Sequence, residues 1–185
     1  MHPVKHDEFL INEFVQFSIQ AGFATRNEDF PIYDFESLKF TLQNAKAMKG
    51  EIRSQLISYY KKLCAASVSE KEHKKRIKSL SYVITSRYKA MLHNGRFRIG
   101  VSQKILNLFL KYLWSADLTM EPHHCPFDNV IKRKIQKYAG GDGLTDWTEL
   151  TTMKEYDAYV SSVREAANRE QMSIAEWEMK HWKGR

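Results

Sequence analysis

The chain has 185 residues, 43% of them hydrophobic and 12% aromatic. That is enough apolar side chain for one domain with a real core and too much for a disordered protein. A formal net charge of +7 with a pI near 9.3 favours a polyanionic partner, nucleic acid first. Two cysteines, Cys64 and Cys125, exclude a disulfide framework, and no apolar run approaches the length of a membrane span. The opening MHPVKHDEFL lacks the apolar core of a signal peptide. A cytoplasmic protein without membrane association is expected.

Apolar periodicity predicts helices throughout, so the expected class is all-α. Phe9, Leu10, Phe14, Phe17 and Ile19 mark a helix over 7–21, with Gly22 placed to end it. Residues 23–34 read as a loop, with Asn27, Glu28, Asp29 and Pro31. Two helices follow, 37–49 and 51–65, divided by Gly50. Ser69 and Glu72 form a capping-box pattern that opens a long helix reaching Leu92, where Asn94-Gly95 breaks it. Further helices are predicted over 102–114, 128–138, 152–170 and 173–182, the last behind a second capping box at Ser173 and Glu176. Gly140, Gly141 and Gly143 read as a hinge. The whole is expected to be one domain, or two intimately packed halves, 1–95 and 96–185.

The most specific stretch runs from Arg96 to Tyr138. Ile99-Gly100-Val101-Ser102 reads as a tight turn opening an apolar helix that carries Lys104 on its first turn. Helix-initiating N–H groups at such a turn can bind a phosphate, with Gly100 and Ser102 at the contact and Arg96 and Arg98 adding charge. Asp128 then stands at the start of a basic helix holding Lys132, Arg133, Lys134 and Lys137. One amine and one carboxylate, each at a helix start, can meet in a cleft. The plainer readings are an Asp128 that only caps its helix and a Lys104 that only faces water.

Gly100-Val-Ser-Gln-Lys104 followed by Ile-Leu-Asn107 resembles the hairpin of the helix-hairpin-helix DNA glycosylases, Gly-Val-Gly-x-Lys-x-Ala-Asn. Cys125-Pro-Phe-Asp128 before Asn129-Val130 resembles that family's Val-Asp signature. The resemblance covers about a quarter of the chain. Ser102 stands for the second glycine, Arg98-Ile99 for the usual leucine-proline, and the Lys104-to-Asp128 spacing is several residues longer than is typical. It implies a DNA-binding base-excision protein, with Asp128 as the shared aspartate and Lys104 as the lysine of Schiff-base chemistry. No cofactor is implied. Trp114, Tyr112 and His124 are the candidates to stack on an extruded base, with His123 as an alternate. Core packing is the plainer role for Trp114 and Tyr112.

His123, His124 and Cys125 are adjacent, and adjacent ligands cannot easily share a tetrahedral ion, so no metal site is expected. Pro122 and Pro126 bracket them as a rigid connection. The run Glu70–Lys78 (EKEHKKRIK) reads as a solvated helix face or a track for a nucleic-acid backbone. The C-terminal helix with Trp177, Glu178, His181 and Trp182 is expected to dock onto the core. The alternative to a glycosylase is a non-catalytic helical module that binds nucleic acid or protein, in regulation or phage biology.

Overall fold

The computed structural model describes residues 4–25, 27–140 and 143–182. Among the described residues, seven helices carry the fold: α1 (Val4–Phe23), α2 (Leu42–Ala65), α3 (Glu70–Tyr88), α4 (Ile99–Ser115), α5 (Asn129–Ala139), α6 (Met153–Arg169) and α7 (Ile174–His181). Among the described residues there is no strand, only an isolated bridge between Tyr33 and Leu92. The class is all-α. No described helix is long and apolar enough to cross a membrane.

Helix α4 is the axis. Thirteen of its seventeen residues are buried, so its polar side chains must find partners inside the protein. α1 lies across it at close range: a methyl group on Gly22 would run into the Ile105 side chain. Gly22 therefore serves helix contact rather than termination, and α1 runs on to Phe23. One continuous apolar cluster draws on every helix, from Ile11 and Val15 of α1 to Trp177 of α7.

Gly50 does not divide α2. Burial of Met48, Ile52 and Leu56 on one face outweighs the roughly 1 kcal/mol that glycine costs in a helix interior. The helix starts at Leu42 behind a Thr41 cap, five residues later than predicted. α3 stops at Tyr88 and gives way to two 3-10 turns, Lys89–Met91 and His93–Gly95, where Asn94 and Gly95 take left-handed φ of 53° and 62°. The capping boxes at Ser69/Glu72 and Ser173/Glu176 both form, and Thr152/Glu155 forms a third. Gly140 caps α5 at φ 66° and Gly143 sits at φ 88°, while Gly141 lies outside the described residues.

A buried hydrogen-bond relay ties α2, α3, α4 and α6 together. Tyr59 O–H donates to His73 Nδ1 (3.1 Å), His73 Nε2 donates to Asn107 Oδ1 (2.8 Å), and Asn107 Nδ2 reaches Tyr156 Oη (3.2 Å). Tyr156 O–H then donates to His124 Nδ1 (2.7 Å), whose Nε2 donates to Glu70 (3.1 Å). Both histidines use their neutral forms, and the relay ends on the Glu70 carboxylate, which Arg164, His124 and Lys74 hold down to about 2. Burial, and then the neighbouring His124, push His73 down to about 3; burial, only partly opposed by Glu70, pushes His124 down to about 4.

The unfolded chain takes up protons on these two rings below pH 6.5, and the folded chain does not. Their contribution to stability is complete above that value and is lost as pH falls from about 6.5 toward 4. Between pH 7 and pH 5 the expected loss is about 2 kcal/mol for each histidine. Urea unfolding at the two pH values measures it. Equal stabilities would contradict a pair of buried, neutral histidines.

Candidate functional site

Lys104 and Asp128 meet. The Lys104 Nζ lies 3.5 Å from Asp128 Oδ2, with both side chains largely buried at 9% and 17% exposure. The two carboxylate oxygens divide their tasks. Oδ1 caps α5, accepting the N–H groups of Val130 (2.9 Å) and Ile131 (3.1 Å), and Oδ2 is left to face the amine. Asp128 thus caps its helix and also joins an ion pair. Both side chains line a cleft of about 550 Å³, with Asn27, Arg133, Asp146 and Trp147 around them.

The residues beside the pair set its geometry. Gln103, next to Lys104, grips both backbone groups of Phe127, next to Asp128: its Oε1 accepts the Phe127 N–H (3.1 Å) and its Nε2 donates to the Phe127 carbonyl (2.8 Å). Gln103 Nε2 also donates to the Gly100 carbonyl (3.0 Å). One turn on, Asn107 Nδ2 donates to the Cys125 carbonyl (2.9 Å) and reaches Gln103 Oε1 (3.2 Å). Two buried amides on α4 therefore hold 125–127 in place. Cys125 is part of this packing; burial pushes its thiol well above the usual range, which removes the thiolate a nucleophile needs.

Trp147 forms the third wall. Its ring lies 4.2 Å from Lys104 Nζ, an attraction of the ammonium to the aromatic face. Gly100 makes room for it: any Cβ there would collide with the Trp147 carbonyl oxygen, and the Gly100 N–H donates to the Leu150 carbonyl (3.0 Å). The loop carrying Trp147 is thereby seated on the first turn of α4. Lys132, paired with Asp146 at 2.7 Å, holds its other side.

A second lobe of about 380 Å³ opens from the same wall, sharing Lys104, Asp128 and Val130. Here Lys111, two turns beyond Lys104, pairs with Glu178 at 2.7 Å and sits 4.6 Å from the Trp182 ring. Burial raises the Glu178 carboxyl, and the Lys111 ammonium opposes that shift. The arrangement repeats the first lobe: a lysine of α4, a carboxylate and a tryptophan face.

Several sequence expectations are corrected by this placement. Arg98, Gly100 and Ser102 do not form an outward phosphate cradle, because Ile99–Ser102 is the buried first turn of α4 itself. Arg98 points inward and donates to the carbonyls of Phe30 (2.6 Å) and Pro31 (3.0 Å), where burial brings its guanidinium down to about 10. Ser102 Oγ donates to the Arg98 carbonyl. His124 is fully buried in the relay, and neither it nor the half-buried Trp114 lines either lobe. Tyr112 does line the second lobe, while His123 donates to the Val68 carbonyl elsewhere. Arg96 is exposed, and Arg133 is exposed at the cleft.

Trp147, Lys111, Glu178 and Trp182 were missed as site residues. One signal was present: Lys104 and Lys111 recur at seven residues on an otherwise apolar helix, which places two charges on one face. Among the described residues, no three of His, Cys, Asp or Glu are placed to share a metal ion. No protein-family model matches the chain, and no curated protein or solved structure does. The cleft's own chemistry is what speaks to function.

Replacing Gln103 by Met leaves the buried Phe127 N–H and carbonyl without partners, at an expected cost of about 2–4 kcal/mol in urea unfolding. Gly100→Ala is expected to destabilise by about 1–3 kcal/mol and to move Trp147 off Lys104, read as a shift in tryptophan emission. A stable Gly100→Ala protein with unchanged emission would contradict the close approach.

Proposed function

We propose that the protein removes a damaged or modified base from DNA, with Asp128 and Lys104 as the operative pair. The single observation that carries this reading is the amine and carboxylate from two helix starts meeting at 3.5 Å in one cleft. The earlier resemblance to helix-hairpin-helix glycosylases rests on the same two residues. The net charge of +7 suits a DNA partner, and exposed Arg133 at the cleft is placed to meet a phosphate.

The chemistry asks for two things: stabilisation of the positive charge that grows on the sugar, and a nucleophile at C1′. Asp128 Oδ2 supplies negative charge for the first. For the second, Lys104 Nζ gives up a proton to Asp128 and attacks C1′; the C–N bond forms as the base leaves with the glycosidic electron pair, and the base takes that proton from Asp128, which is again a carboxylate. Opening of the sugar ring then gives an imine to Lys104. In a purely hydrolytic variant a water takes the place of the amine and Asp128 accepts its proton.

The second lobe fits the extruded base. Trp182 and Tyr112 offer aromatic surface, Lys111 a donor and Glu178 an acceptor. A base edge with a carbonyl beside an N–H complements that pair, which favours a guanine-like or uracil-like lactam over adenine.

The test is incubation with duplexes carrying a panel of damaged and modified bases, with borohydride added to trap an imine. Asp128→Asn is expected to lower base release by at least about 100-fold, and Lys104→Ala to abolish trapping. No release from any duplex by the unaltered protein would overturn the reading and favour a non-catalytic DNA-binding module.

A further inference from the structure

Residues 73–116 contain no aspartate or glutamate, yet they hold ten lysines and arginines. Part of that charge, together with Lys71 just before the stretch, is organised on α3. Lys71, Lys75, Lys78 and Tyr82 stand at spacings of four, three and four, which puts them on one narrow strip of the helix. Lys89, in the 3-10 turn that follows, continues the line. All five are exposed, Tyr82 at 73%. The opposite face of α3, with His73, Ile77, Leu80 and Ile84, is buried, so the strip is held facing water.

Three cations beside the strip are neutralised by carboxylates, and a fourth, Arg76, lies over the Tyr59 ring. Lys62 pairs with Glu72 (2.8 Å), Lys74 with Asp157 (2.9 Å) and Glu70 (3.2 Å), and Arg87 with Glu51 (2.6 Å). Lys71, Lys75, Lys78 and Lys89 take part in no ion pair among the described residues. Like charges at these helical spacings repel one another and are relieved by a polyanion. The strip runs roughly 27 Å at 1.5 Å per residue. That matches about eight phosphates of one strand at 3.4 Å along the duplex axis.

We propose that this strip is a second nucleic-acid contact, a track for the phosphate backbone of duplex DNA lying apart from the cleft. None of its residues lines either lobe. The choice of DNA as the polyanion rests on the reading of the cleft, but the strip stands on different residues. Lys71, Lys75, Lys78 and Lys89 neutralise phosphates, and the Tyr82 hydroxyl at the middle of the row donates to a phosphate oxygen. The contact carries no base specificity. It holds a long duplex while the cleft works on one nucleotide.

The experiment measures affinity for an unmodified duplex of about 30 base pairs between 50 and 200 mM salt, by fluorescence anisotropy. Four proteins are compared: the unaltered chain, Lys71→Gln/Lys75→Gln/Lys78→Gln/Lys89→Gln, Asp128→Asn, and a control with the exposed Lys39, Lys46, Lys61 and Lys154 changed to Gln. The strip variant is expected to keep its thermal midpoint and to lower the slope of log K against log salt by about three units. The affinity it loses over that range is then roughly 100-fold less than the unaltered protein loses. Asp128→Asn and the control keep the original slope to within one unit. A strip variant with an unchanged slope overturns the proposal, an acidic protein partner included, and so does a control that falls as far as the strip variant. Base release separates the two ideas: its absence with a lowered strip slope sinks only the cleft reading, and its presence with an unchanged slope sinks only the strip.

Discussion

The grip of the Gln103 side-chain amide on the Phe127 backbone is the contact around which the site is arranged. A side-chain amide carries its donor and its acceptor side by side, so it can satisfy the N–H and the carbonyl of one residue together. Here it does so in a buried place where neither group has water as a substitute. Because Gln103 and Phe127 each precede a member of the ion pair, the grip fixes the distance between Lys104 and Asp128 through the backbone. Asn107 extends it to Cys125 and links it to the histidine relay. Without those amides, residues 125–127 of the connection from α4 to α5 would lose the contacts that tie their backbone to α4.

The same logic explains why α4 can be buried along most of its length while carrying Gln103, Lys104, Asn107 and Lys111. Each polar group has a partner inside. The amides answer backbone, and each lysine meets a carboxylate and a tryptophan face. A buried pair of this kind gains little stability over an apolar replacement, because desolvating both charges offsets their attraction. It occurs twice on one helix, both times at a lobe of the cleft. Gly100 belongs to the same construction, since only a residue without Cβ lets the Trp147 loop approach.

Much of the fold was legible in the chain, and the reasons are local. The capping boxes at Ser69 and Ser173 marked helix starts correctly because the box is closed within four residues. Gly50 and Gly22 misled because a glycine's meaning depends on its neighbours in space: Gly50 is carried by the packing of Met48 and Ile52, and Gly22 is required by Ile105. Arg98 and His124 misled for a related reason. Their chemistry suits a DNA contact and a stacking partner, but the loop over 30–31 and the Tyr156 hydroxyl had claimed them.

By itself, then, the sequence determined the all-α class, the approximate span of most helices and the opening of Asp128 onto α5. These follow from periodicity and capping, which act over a turn or two. Only the tertiary structure decided that Lys104 faces Asp128 across a cleft, that Trp147 and Trp182 close over the two lysines, and that Ile99–Ser102 is buried. Those outcomes depend on contacts between residues tens of positions apart, where side-chain volume, close backbone approach and the need to satisfy buried amides select one arrangement. No spacing along the chain records that selection.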